Sequence, residues 1–109
     1  MTLNEYQALA LTTLNPALSR QETLLNGVMG LCGEAGEAID LMKKHLHQGH
    51  ALDREALLRE LGDEAWYLAE TAWALDASLE EVCQGNIDKL RRRYPEGFSR
   101  EKSLHREAE

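Results

Sequence analysis

Apolar residues in this 109-residue chain recur every three or four positions, which is the period of helices rather than strands. The first long run is Leu24, Val28, Leu31, Ala35, Ala38 and Met42, one face of an extended helix. Leu57, Leu61, Ala65, Leu68, Ala72 and Leu75 repeat the pattern, and Leu79, Val82, Cys83, Ile87 and Leu90 give a shorter version of it. Helix starts are written as capping boxes, in which a hydroxyl accepts from an N–H three residues on and that residue reaches back: Thr2/Glu5, Ser19/Glu22 and Ser78/Glu81. Asp53 caps the remaining start. The predicted helices run over residues 2–14, 20–48, 53–76 and 78–93, and their short connections make sequential helices antiparallel neighbours. The expected fold is therefore all-α, an antiparallel four-helix bundle-like domain over residues 1–98 with a charged, solvated tail over 99–109.

The third predicted helix carries a second stripe, Gly62, Trp66, Ala69 and Trp73, on a face distinct from its leucines. Both faces call for burial, and in a domain this small one of them would stay wet. The expectation is that the tryptophans lie in a subunit interface, the alternative being cover from the first helix and the Pro16 loop.

Charge narrows the function classes. A net charge of −7 and a pI near 5.1 argue against a general grip on DNA or RNA, which needs clustered Lys and Arg. Apolar stretches are interrupted well before membrane-spanning length, and no basic segment or apolar signal core follows Met1, so no membrane partner and a cytoplasmic location are expected. Cys32 and Cys83 have neither CxxC spacing nor a neighbouring His ligand, and read as small buried residues.

Glu34 and Glu37 are three apart on the second helix, and Glu60 and Asp63 are three apart on the third. Each pair therefore projects from adjacent turns on the flank of its leucine stripe, displaced in the same rotational sense, so the two can meet across the helix–helix groove. Packed carboxylates repel and take up protons, whereas hard divalent cations such as magnesium favour carboxylate oxygens. Acidic residues three apart also occur on ordinary solvated faces, and that reading stands beside the metal site. Gly30, Gly33, Gly36 and Gly62 weigh toward the site, because glycine inside a helix is costly and signals a close approach.

The fourth helix aligns Asn86, Lys89 and Arg93 on one stripe, an amide, an ammonium and a guanidinium able to contact successive phosphates. Tyr67, one turn after Asp63, offers a hydroxyl or stacking surface, or else is a tyrosine at the core margin. Gln7 and Thr12 on the first helix are placed either to reach a base or to form a polar outer face. His45, His47 and His50 read as exposed residues at the negative end of a helix dipole, and Arg91, Arg92 and Arg93 as a solvated helix terminus of which Arg93 has the phosphate-facing position.

The combination of GLCGEAGEAIDLMKKH, ELGDEAWYLAE and NIDKLRRRYPEGF resembles the MazG-like all-alpha NTP pyrophosphohydrolase superfamily, over roughly residues 24–98. The resemblance implies magnesium, with manganese able to substitute, on Glu34, Glu37, Glu60 and Asp63. It also implies phosphate or nucleotide contacts by Asn86 and Lys89, with Tyr67 and Arg93 as further candidates. The implied reaction is Mg-dependent hydrolysis of an NTP or dNTP to the monophosphate and pyrophosphate, in a homodimer or homotetramer, with house-cleaning of damaged nucleotides among the roles. Glu37 would orient the attacking water, and Lys44 would join Lys89 and Arg93 at the leaving pyrophosphate. Some superfamily members have a further acidic residue where this chain has Ala38, which leaves the metal count and the general base open. A phosphoribosyl-ATP pyrophosphatase-like enzyme would use the same carboxylates, and a non-catalytic helical binding or oligomerisation module would use the Trp66/Trp73 face instead.

Overall fold

Strong helix formers between capping signals give helices wherever the apolar period predicts them. The computed structural model describes residues 1–106 and contains α1 (Leu3–Leu11), α2 (Arg20–His47), α3 (Arg54–Ala74), α4 (Leu79–Arg93) and α5 (Arg100–Leu104). No strand forms among the described residues, so the all-α expectation holds. Thr2 accepts from the Glu5 N–H, Ser19 and Glu22 close a full capping box, and Asp53 accepts from the Ala56 N–H. The chain divides into two compact units, Met1–Leu79 and Glu80–Glu109. No described helix is long and apolar enough to cross a membrane.

In the first unit α2 and α3 form an antiparallel hairpin whose contacts march in opposite directions along the two helices. Arg20 reaches the end of α3, with its guanidinium 4.5 Å over the Trp73 ring and 2.8 Å from the Asp76 carboxylate. Further along, the Asn26 amide donates to both carboxylate oxygens of Glu70, at 2.9 and 3.1 Å. A Cβ at Gly27 would run into Thr71, and one at Gly30 would run into the Tyr67 ring. Two glycines thus let the helix backbones approach where side chains from α3 fill the gap.

The core of this unit is small, made of Ala10, Ala69, Ala72 and Leu79 with Tyr6, Trp66 and Ala77 packed against it. Gln7, only 7% exposed, ties it together. Its amide nitrogen donates to the carbonyls of Ala69 and Ala77 at 3.2 Å each, and its amide oxygen accepts from the Leu79 N–H at 3.0 Å. Gln7 therefore closes the turn between α3 and α4 and is not placed on the outer face that would reach a base. Thr12 turns its hydroxyl back to the Leu9 carbonyl at 2.6 Å, closing the end of α1.

The apolar faces are arranged as follows. Trp66 and Trp73 are each half-buried within the chain: the Trp66 indole N–H donates to the Ala10 carbonyl at 3.0 Å and to the Thr13 hydroxyl at 2.8 Å, as cover from the first helix requires, while Arg20 stacks on Trp73. The leucines expected inside stay outside, with Leu61, Leu68 and Leu75 at 54%, 45% and 62% exposure. The reason is size, because Ala, Gly and Thr permit the close α2–α3 and α1–α3 seams and a leucine ridge does not. Cys32 and Cys83 are likewise exposed rather than buried.

In the second unit the Gln84 amide donates to Asp88 one turn on, at 2.9 Å. After α4 the chain turns through Tyr94–Gly97, where Gly97 takes a φ of +93° and donates to the Tyr94 carbonyl. The Tyr94 and Phe98 rings pack at 5.5 Å. Ser99 then caps α5, so the expected solvated tail carries a short helix, and its last residues, 107–109, lie outside the described residues.

Candidate metal centre

The antiparallel register of α2 and α3 decides where the acidic pairs meet. Just beyond the Gly30–Tyr67 contact, one turn further along α2, a carboxylate oxygen from each of Glu34, Glu37 and Glu60 lies within 4.8 Å of the others. Glu34 and Glu60 are half-buried and Glu37 is exposed. One oxygen of Glu34 and one of Glu60 are shut off from solvent with no donor to satisfy them while both groups are ionised. A carboxylate oxygen withdrawn from water and left unbonded is costly, and a cation between the three groups would remove that cost.

Electrostatics point the same way. Glu37 has its pKa raised, first by sharing a hydrogen bond with Glu60, then by that group's charge, by burial and by the charge of Asp63. Glu60 is raised chiefly by its hydrogen bond with Glu34, then by burial and by the charges of Glu34 and Asp63, while its hydrogen bond with Glu37 works in the opposite sense. Without metal Glu37 and Glu60 therefore have a raised proton affinity, and protons and a divalent cation would compete for them. Asp63 lies outside the three-oxygen group, close enough for its charge to act on Glu37, Glu60 and Tyr6, whose phenol is raised first by burial and then by Asp63.

A groove of about 490 Å³ runs along this face, lined by Gly33, Gly36, Glu37, Asp40, Leu41 and Glu60. No atom lies within 4 Å of where a Cβ would stand on Gly33, Gly36 or Gly62. The glycines flagged in the sequence thus divide by role. Gly30 serves helix packing, and Gly33 and Gly36 leave the groove floor bare.

The other candidates fall as follows. Tyr67 is half-buried, its ring laid against Gly30 and edge-on to Trp66 at 5.2 Å. The Lys44 ammonium lies 2.9 Å from Asp40. Asn86, Lys89 and Arg93 share one side of α4 in the second unit, Asn86 exposed and the other two half-buried. His45 donates through Nδ1 to the His50 carbonyl at 2.9 Å, which closes the end of α2, and the histidines form no metal-binding set among the described residues. The sequence reading missed Asp40, although it continues the spacing of Glu34 and Glu37 by another three. It also missed Tyr6, for which no local pattern exists.

The family model described as "MazG nucleotide pyrophosphohydrolase domain" matches residues 21–98, which include all four acidic residues and the α4 stripe. The "Gene 37 protein" of Mycobacterium phage L5 is 42% identical over 73 residues, 63% of this chain and 64% of the phage protein. The matched region thus spans somewhat under two thirds of that relative. No solved structure matches the chain.

Proposed function

Because this chain belongs to the MazG nucleotide pyrophosphohydrolase family, we propose that its α2–α3 groove hydrolyses a nucleoside or deoxynucleoside triphosphate to the monophosphate and pyrophosphate, with Mg²⁺ required. The observation that carries this reading is the meeting of Glu34, Glu37 and Glu60 oxygens within 4.8 Å of one another, two of these residues each having a buried, unbonded oxygen. Those three carboxylates, with Asp63 beside them, fit a hard divalent cation held by oxygen donors. Such a cation offsets triphosphate charge and acidifies water at the site.

The chain's own groups divide the remaining work. Glu37 is the exposed member of the three and already has a raised proton affinity, so it orients the attacking water and takes its proton. As the water oxygen bonds to phosphorus, the phosphoanhydride bond breaks and pyrophosphate departs. Lys44 stands near the groove through its contact with Asp40, with Tyr67 as a candidate substrate contact, and the α4 stripe of Asn86, Lys89 and Arg93 carries an amide, an ammonium and a guanidinium of the kind that bind phosphate oxygens. A homodimer or homotetramer belongs to the same reading, since Leu61, Leu68 and Leu75 expose a continuous apolar stripe that a second copy would cover.

The decisive experiment is product analysis after incubation with Mg²⁺ and a panel of canonical and modified nucleotides, phosphoribosyl-ATP included. Monophosphate plus pyrophosphate is expected, and Glu37→Gln should abolish it without loss of helicity. Diphosphate plus orthophosphate, or no turnover of any nucleotide, would overturn the proposal.

A further inference from the structure

Asp40 lies one turn beyond Glu37 on α2 and lines the same groove. Both of its oxygens are engaged, Oδ1 at 3.3 Å from the Lys43 ammonium and Oδ2 at 2.9 Å from that of Lys44. Side-chain exposures of 45% for Asp40, 54% for Lys43 and 42% for Lys44 make these solvated contacts, readily exchanged for a stronger anion. A phosphate group, with more charge and more acceptor oxygens than a carboxylate, is such an anion.

The groove is consequently graded along α2. Bare space stands over Gly33 and Gly36 at one end, Glu37 and Glu60 occupy the middle, and the other end is lined by Asp40, whose carboxylate carries the Lys43 and Lys44 ammonium groups at the groove's margin. At about 1.5 Å per residue, Lys44 is roughly 10 Å beyond Glu37 along the axis, and Gly33 is roughly 6 Å before it. A nucleoside triphosphate has the same grading, from uncharged bulk through a metal-seeking chain to its most negative terminus.

We propose that the triphosphate lies along α2 with its terminal phosphates at Lys43 and Lys44 and its nucleoside over Gly33 and Gly36, and that Asp40 holds the two ammonium groups until the phosphates displace it. This rests on the pyrophosphohydrolase reading and adds the direction of the substrate and a positioning role for Asp40. Asp40 then competes with phosphate for the lysines, which limits affinity for the product and promotes its release.

Calorimetric binding of inorganic pyrophosphate in the presence of Mg²⁺ tests this, alongside Mg²⁺ alone and a nucleoside monophosphate. Lys44→Met should weaken pyrophosphate by about tenfold, the order expected from one charge lost at close range near a surface, and leave the monophosphate within about twofold. Asp40→Asn should tighten pyrophosphate about threefold or more by removing the competitor, with Asp40→Glu close to wild type and Mg²⁺ alone little changed. A merely structural Asp40 would not yield tighter product binding. Weaker Mg²⁺ binding in Asp40→Asn would make it a metal ligand and overturn the positioning role, and unchanged pyrophosphate affinity in both variants would reduce the trio to a surface ion pair. Equal loss of monophosphate and pyrophosphate in Lys44→Met would overturn the direction. Wild-type protein that turns over nucleotide while the variants behave in any of these ways defeats this inference alone, whereas wild-type protein that neither turns over nucleotide nor binds pyrophosphate defeats both.

Discussion

A single methyl group on α2 should have opposite effects one turn apart. Replacing glycine by alanine inside a helix normally stabilises by about 0.5–1 kcal/mol through the backbone entropy no longer lost. At Gly33 nothing lies within 4 Å of the added Cβ, so that gain should appear in full. At Gly30 the same Cβ overlaps three atoms of the Tyr67 ring. The ring cannot simply tilt away, because Trp66 packs against it edge-on at 5.2 Å, and Trp66 is itself anchored to Ala10 and Thr13. Forcing a methylene into a packed seam costs about 1–3 kcal/mol, and because the backbone gain is common to both positions the two variants should differ by about that amount. For a unit of this size that corresponds to melting temperatures about 4–24 °C apart, readable by circular dichroism. Gly30→Ala should also lose most of its stabilisation by Mg²⁺, because parting α2 from α3 moves Glu34 and Glu37 away from Glu60. Tyr67→Ala in the Gly30→Ala background should restore part of the stability. Equal stability of Gly30→Ala and Gly33→Ala would refute the account of how the hairpin is spaced.

Other consequences can be measured independently. Glu37 and Glu60 are raised above 4.5, so their contribution to metal-free stability is complete below that pH and lost as pH climbs through the raised values; Mg²⁺ removes the repulsion. The increase in melting temperature produced by Mg²⁺ should therefore grow as pH rises above 4.5 through the raised values, and a constant increase would contradict the shared site. Gln7→Ala leaves the Ala77 carbonyl and the Leu79 N–H without their partner, which should cost about 2–4 kcal/mol in chemical denaturation. Replacing Leu61 and Leu68 together by Glu should convert a dimer or tetramer to monomer in sedimentation, and a monomeric wild type would remove the basis for assembly.

The sequence determines helix positions well because capping and periodicity are local. Ser19 with Glu22 and Asp53 with Ala56 are set by residues three apart, and the carboxylate pairs are legible for the same reason. What was illegible is which face of α3 turns inward. Both faces are apolar, and the choice falls to Gly27 and Gly30 on another helix, whose missing side chains admit Thr71 and Tyr67. Periodicity ranks leucine above alanine as a core residue, while the distance of closest approach ranks them the other way. Gln7 was misplaced for a related reason, since its three partners lie 62–72 residues away and no local spacing records them.

Those distant partners bear on how the molecule assembles during synthesis. Helix α1 is made first, yet the groups that hold it, from Trp66 to Leu79, appear only after the whole α2–α3 hairpin has been translated. Closing so large a loop follows rather than precedes local pairing. Helix α1, which leaves the ribosome ahead of α2 and α3, is therefore the last of the three to find its place, and until then it travels as a guest without a host.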